Sequence, residues 1–206
     1  MAQTLSRRDR IRKETIEEIL DIARDEMRAH GVAALTMSAI AERMGIQPPS
    51  LYNYFDGKEA IYDELFRRGF LAFRDWIEEH TASGGPLRDQ LSSHLIAYQR
   101  FALQNPELYQ LMFQRPVPGF EPSEESMAVS LGLLEEMRQE LATLLENDAF
   151  HTGIAVEAAC DLIISMQYGI TEMHLSNHPH LPIGEGRFGR LVEPAVDLFL
   201  NAWREK

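Results

Sequence analysis

Every long segment of this 206-residue chain repeats its apolar residues at the period of an α-helix, and none sustains the alternation of a half-buried strand. Ile16, Ile19, Leu20, Ala23 and Met27 form one stripe that stops at Gly31, which predicts a first helix over 9–30. A short second helix is capped by Thr36 and closed by Gly45, and a third follows with Pro48 and Pro49 in its first turn and Leu51 and Phe55 as buried contacts. Asp56 as cap and Glu59 bonding back open a fourth, which runs to about His80 through Ile61, Leu65, Phe66, Phe70, Phe73 and Trp76. Beyond the break at Ser83-Gly84-Gly85-Pro86, a fifth helix carries Leu87, Leu91, Leu95, Tyr98 and Phe101, and a short sixth covers 107–113. Dense prolines forbid a helix over 115–122. A seventh is predicted over 123–146 on Met127, Leu131, Leu134, Met137, Leu141 and Leu145, an eighth over 153–175 and a ninth over 188–204. The expectation is an all-α fold of about nine helices. A three-helix helix-turn-helix domain over 1–58 is expected, linked through the helix at 59–80 to a helical domain over 59–206.

No stretch reaches the roughly 18 consecutive apolar residues of a membrane span, and the basic N-terminus runs into a charged helix, so a cytoplasmic protein without membrane contact is expected. Cys160 is the only cysteine and lies in an apolar run, which reads as a buried, inert thiol. The net charge of −12 is unevenly spread: residues 1–58 carry nine Lys or Arg against nine Asp or Glu, and residues 59–206 carry eleven against twenty-three. Arg7, Arg8, Arg10, Arg12 and Lys13 accompany only Asp9 in the first thirteen residues, a basic arm able to displace counterions from phosphates, or a plain solvated terminus.

The segment 36–58 combines a short capped helix, a glycine turn and a second short helix with little core to fill. Once Leu51 and Phe55 are buried, Gln47, Ser50, Tyr52, Asn53 and Tyr54 remain on one polar and aromatic face. Gln and Asn pair with adenine, Ser reaches a base or phosphate, and Tyr hydroxyls bond phosphate oxygens. Lys58 falls in the first turn of the fourth helix, where free N–H groups already favour an anion. The runs Gly31-Val32-Ala33-Ala34-Leu35-Thr36, Ile40-Ala41-Glu42-Arg43-Met44-Gly45 and Leu51-Tyr52-Asn53-Tyr54-Phe55-Asp56-Gly57-Lys58-Glu59 strongly resemble the DNA-binding domain of TetR-type repressors. That resemblance implies a homodimer whose two recognition helices enter successive major grooves of a near-palindromic operator, repression being released by ligand. It places Thr36, Tyr52 and Lys58 on backbone phosphates, and Gln47, Pro48, Ser50, Asn53 and Tyr54 on groove-facing positions. Ser38 stands where some members carry a base-reading Arg and Pro48 offers no polar reader, so part of the specificity is expected from DNA shape.

The rest of the chain carries aromatic and Met residues on several helices, and the run Asn105-Pro106-Glu107-Leu108-Tyr109-Gln110-Leu111-Met112-Phe113 is similar to one subgroup of TetR-type C-terminal domains. Phe73, Trp76, Tyr98, Phe101, Met112, Phe113, Met137, Met166 and Tyr168 are the candidates to line an adaptable apolar pocket for a small-molecule effector; plain core is the competing reading for each. His174, His178 and His180 are read as exposed and without a metal. The eighth helix is apolar on more than one face, and with Leu191, Val192, Ala195, Leu198, Phe199, Ala202 and Trp203 of the ninth it forms a dimer interface or a monomer core. No Glu-x-x-His pair at bundle spacing, Gly-x-Ser-x-Gly or glycine-rich phosphate loop is present, so neither catalytic residues nor a cofactor are expected. An apolar-ligand carrier whose helix-turn-helix contacts protein is the remaining alternative.

Overall fold

A computed structural model of the protein describes residues 6–82, 84–147 and 155–202, without the side chains of 145–147. Ser83, the side chain of Leu145, Gly153, Ile154, Trp203 and Arg204, all used in the sequence reading, lie outside the described residues. Among the described residues there is no strand, and ten helical segments follow one another: α1 (Arg7–His30), α2 (Met37–Met44), α3 (Pro48–Leu51), α4 (Lys58–His80), α5 (Leu87–Gln104), α6 (Pro106–Tyr109), α7 (Glu124–Asn147), α8 (Val156–Asn177), α9 (Gly186–Gly189) and α10 (Val192–Ala202). They fall into two compact units, Met1–Gly69 with Pro106–Met127, and Phe70–Asn105 with Ala128–Lys206.

In the first unit, α1 starts where the Ser6 hydroxyl accepts the Asp9 N–H at 3.2 Å. Its stripe of Ile19, Leu20, Ala23 and Met27 is buried, while Ile16 is half-buried. A 3₁₀ turn over Val32–Ala34 buries Val32, whose carbonyl accepts the Tyr62 hydroxyl of α4 at 2.6 Å. The segment after α5 is tied to the same unit by charge. Glu107, fully buried, accepts bonds of 2.9 to 3.0 Å from Arg24 and Arg28 of α1. The expected sixth helix is two windings, α6 and then a π-helical turn over Gln110–Gln114 that ends at Arg115 with φ 49°. That turn lays Met112 over Gly69, where a Cβ would come within 2.6 Å of the Met112 sulfur. Asp63 accepts from the Ser123 N–H at 2.7 Å and from the Ser123 and Ser126 hydroxyls at 2.9 Å, fastening the start of α7.

In the second unit, Leu87, Leu91 and Leu95 of α5, Leu141 of α7, Ala159, Cys160 and Ile163 of α8, and Val192, Val196, Phe199 and Leu200 of α10 form one core. Arg88 bonds Asp197 at 2.6 Å and Glu193 at 2.7 Å, and Ser92 bonds Glu193 at 3.2 Å, so α5 and α10 run antiparallel. The single ninth helix expected over 188–204 is instead split into α9 and α10. Gly189 lies against the His174 ring with only 2.8 Å to spare for a Cβ, and Arg190 leaves helical geometry at ψ 0°. His174 is therefore buried, not exposed; its Nε2 donates to the Leu181 carbonyl at 3.1 Å. On α7 the expected stripe also drifts: Leu141 is buried and Met137 and Leu144 half-buried, but Leu131 is 58% exposed. A helix of 3.6 residues per turn rotates positions ten apart by most of a quarter turn, so one straight stripe cannot hold both ends.

Candidate functional site

The polar edge is built from two short helices that could not stand alone. The Thr36 hydroxyl caps α2 by accepting the Ala39 N–H at 3.1 Å, and Gly45 ends it in the left-handed conformation, φ 67° and ψ 27°. Ile40, Ala41 and Leu51 show no exposed surface and anchor the pair; complete burial of one such Leu stabilises by about 1.5–3 kcal/mol. Regular α3 stops at Leu51, after which turns carry the chain to Phe55, with Tyr54 and Phe55 N–H groups donating to the Leu51 carbonyl at 2.8 and 3.1 Å. Phe55 is half-buried rather than a full core residue.

With the anchors inside, Thr36, Gln47, Tyr52 and Asn53 are exposed, Tyr52 by 55%, and Pro48, Ser50, Tyr54 and Lys58 are half-buried. Gln47 occupies the N-cap position of α3 without spending its side chain on a cap, and Lys58 opens α4. The Asn53 side-chain amide donates to the Ser50 carbonyl at 3.2 Å, and the Asn53 backbone carbonyl accepts from Arg12 at 2.8 Å. Arg12 also lies over the Tyr54 ring, 5.2 Å from its centroid. A count of basic residues gives no sign of this strut, which depends on the two segments meeting. Arg7, Arg8, Ile11, Arg12, Asn53 and Tyr54 line an open cleft with no carboxylate among them.

The second unit holds a cavity of about 100 Å³ walled by α5, α7, α8 and the two residues that follow α4. Leu91, Met137, Leu141, Leu144, Ile163 and Cys160 supply its apolar surface, and His94, Gln90, Thr81 and Glu140 its polar groups. His94 is half-buried because part of its ring faces this space; burial pushes its pKa down to about 4, so the imidazole is neutral near pH 7. Burial likewise pushes the Cys160 thiol up.

Of the nine residues proposed from sequence for the pocket, Met137 lines this cavity. Phe73, Trp76, Tyr98 and Phe101 pack on one another, with ring centroids 5.8 Å apart for Phe73 and Tyr98, 5.0 Å for Phe73 and Phe101, and 6.5 Å for Trp76 and Phe101. The Trp76 indole donates to the Ala97 carbonyl at 2.9 Å. Met112 and Phe113 belong to the first unit, Phe113 lying 5.4 Å from Tyr109. Met166 is half-buried beside the second unit's core, and Tyr168 is half-buried with its hydroxyl pKa raised by burial. His94 carries no sequence signal, because one histidine on an amphipathic helix looks like any polar residue.

Residues 19–65 match the family model of bacterial regulatory proteins of the tetR family, and residues 91–198 match that of the tetracyclin repressor-like C-terminal domain. The chain belongs to the tetR family. Among curated relatives, the HTH-type transcriptional regulator YobS of Bacillus subtilis is 33% identical over 97 residues, 47% of this chain and 50% of YobS, so the chain spans about half the length of this curated relative in the match. The fold is that of the fatty acid degradation regulator FadR from Bacillus halodurans, with TM-score 0.72 at 19% identity over 93% of this chain and 97% of that one. The transcriptional regulator FadR from Bacillus subtilis, solved in complex with stearoyl-CoA, superposes with TM-score 0.70 at 17% identity over 90% and 98%. No described helix is long and apolar enough to cross a membrane.

Proposed function

We propose that this chain is a ligand-responsive, DNA-binding transcriptional regulator rather than an enzyme, a cytoplasmic repressor released from a palindromic operator by a small apolar or amphipathic effector. The carrying observation is the outward edge after Gly45: Gln47, Tyr52 and Asn53 exposed on a helix pair whose anchors Ile40, Ala41 and Leu51 are fully buried. Thr36, Tyr52 and Lys58 take backbone phosphates, and Gln47, Pro48, Ser50, Asn53 and Tyr54 face the groove, where few base-specific donors leave part of the readout to DNA shape.

Two such edges are needed for a palindrome, and the second unit offers a surface for a second copy. Ala158, Leu162, Ser165, Gly169 and Met173 of α8 form an exposed stripe of small and apolar residues, and Leu191 and Leu198 near and on α10 are exposed, Leu198 by 71%. Pairing α8 and α10 with their symmetry mates covers these positions. Half-sites recur every 34–36 Å, about one DNA turn, so a small ligand-driven change carried along α4 suffices to misplace one edge. A coupling free energy of about 1–3 kcal/mol weakens operator occupancy five-fold or more.

Selection of genomic fragments by the purified protein, followed by retardation assays across a salt series, tests the reading. Recovery of inverted repeats whose affinity falls steeply with salt is expected, with sedimentation at twice the monomer mass. A clean monomer, or no DNA retained at low salt, overturns it.

A further inference from the structure

We propose that the cavity of the second unit binds a small uncharged alcohol or phenol, a single ring or short branched chain whose one hydroxyl is held by His94. The proposal rests on the ligand-responsive reading and narrows it to one chemistry. Size sets the first limit. An apolar cavity of about 150 Å³ holds a benzene ring, so roughly 100 Å³ that is open on one side takes one ring with a substituent toward the mouth.

The lining sets the second. Leu91, Met137, Leu141, Leu144 and Ile163, with the protonated Cys160 thiol, offer hydrocarbon and soft sulfur surface. Water finds few partners on such walls, since an ordered water needs two to four polar contacts. No Lys or Arg is among the lining residues, and the one formal charge is the Glu140 carboxylate, exposed at the mouth. Arg138, outside the lining, bonds the Cys160 thiol and pairs with Asp161 at 3.4 Å, so its charge is already engaged. A carboxylate or phosphate entering here would lose its water, and no lining residue carries a positive charge to compensate it. An ammonium would meet only a solvated carboxylate.

The polar group sets the third. His94 is neutral near pH 7, so its ring presents one N–H donor and one bare nitrogen. A hydroxyl both donates and accepts, and therefore suits His94 in either tautomer. An ether or a methyl group suits neither.

Calorimetric titration of the full chain with 4-ethylphenol, 4-ethyltoluene, 4-ethylbenzoate, phenethylammonium and stearoyl-CoA tests this, with operator release followed in parallel. The phenol is expected to bind about three- to tenfold tighter than the toluene, the worth of one neutral hydrogen bond, and more than tenfold tighter than either charged ring. His94→Leu should erase the preference for hydroxyl while keeping hydrocarbon binding, and Ile163→Trp should abolish both. If His94→Leu does not fold, the side-chain nitrogen resonances of His94 in the unsubstituted protein must shift with 4-ethylphenol and stay still with 4-ethyltoluene. Equal affinity for phenol and toluene, tightest binding of benzoate, the ammonium or stearoyl-CoA, or unmoved His94 resonances overturns the proposal. Operator release by stearoyl-CoA without phenol binding sinks this inference and leaves the regulator reading standing. His94-dependent phenol binding without release does the reverse.

Discussion

The two units treat their buried polar groups in opposite ways. In the first, Glu107 is held by Arg24 and Arg28, Tyr62 by the Val32 carbonyl, and Asp63 by Ser123 and Ser126. In the second, both amide atoms of Gln99, Gln167 Oε1, Thr171 Oγ1, His174 Nδ1 and Arg138 Nε are buried without a hydrogen-bond partner, and an apolar cavity lies among α5, α7 and α8. All the unpartnered buried side-chain atoms of the described residues fall in this unit. An unmade buried bond costs about 1–3 kcal/mol, so a polar partner would gain more in the second unit than in the first. On the proposed function, a surface meeting stacked base pairs gains from being locked, whereas one answering a ligand gains from groups still to be satisfied.

The largest test of that contrast strips the clamp from the first unit. Arg24→Ala with Arg28→Ala leaves the Glu107 carboxylate buried and alone, and should cost about 3–5 kcal/mol by denaturant unfolding, with amide exchange rising first in α1 and α6. A loss below about 1 kcal/mol, the worth of a surface pair, would break the comparison.

Acid should separate the units next. His94 takes a proton near pH 6.5 when unfolded but only near pH 4 when folded, so the folded state loses stability as pH falls from 6.5 to 4, by about 3 kcal/mol in total. In the first unit, burial raises the Glu64 carboxyl but bonds from Arg67 and Arg68 outweigh it and hold it low; Arg68 does the same for Glu17. Those depressed carboxyls stabilise above their unfolded value of 4.5 and lose that contribution only as pH falls below it. Amide protection factors, corrected for the intrinsic pH dependence of exchange, should therefore fall between pH 6.5 and 4.5 in the second unit alone, and His94→Leu should flatten the response.

Smaller effects should carry opposite signs. Tyr62→Phe leaves the Val32 carbonyl unpaired and should lower stability by about 1–2 kcal/mol. Gln99→Leu removes two unsatisfied atoms from a site 1% exposed and should leave stability unchanged or raise it by about 1 kcal/mol, read as an equal or higher melting temperature. Tyr52→Phe, on an exposed ring, should move stability by less than about 0.5 kcal/mol while weakening binding to every DNA sequence alike in retardation assays.

Much of the polar edge was legible because its signals are local. Thr36 caps within three residues, Gly45 must take φ 67°, and Leu51 is the buried anchor among exposed neighbours, all readable along one stretch of chain. The role of Arg12 was not legible, since its partners Asn53 and Tyr54 lie some forty positions away. The cavity was harder still. Aromatic and Met residues advertise apolar bulk, but bulk that packs on itself, as Phe73, Tyr98 and Phe101 do, fills space instead of leaving it.

Helical period, caps and turn glycines settled by sequence alone that this chain is all-helical and where its short helix pair bends, because those forces act between residues a turn apart. Tertiary structure decided that residues 106–127 fasten to α1 and α4, that Gly189 makes room for the His174 ring and splits the last helix, and that His94 lines the cavity of the second unit. Such outcomes depend on which distant surfaces meet and how closely their shapes fill, and no spacing along the chain records that.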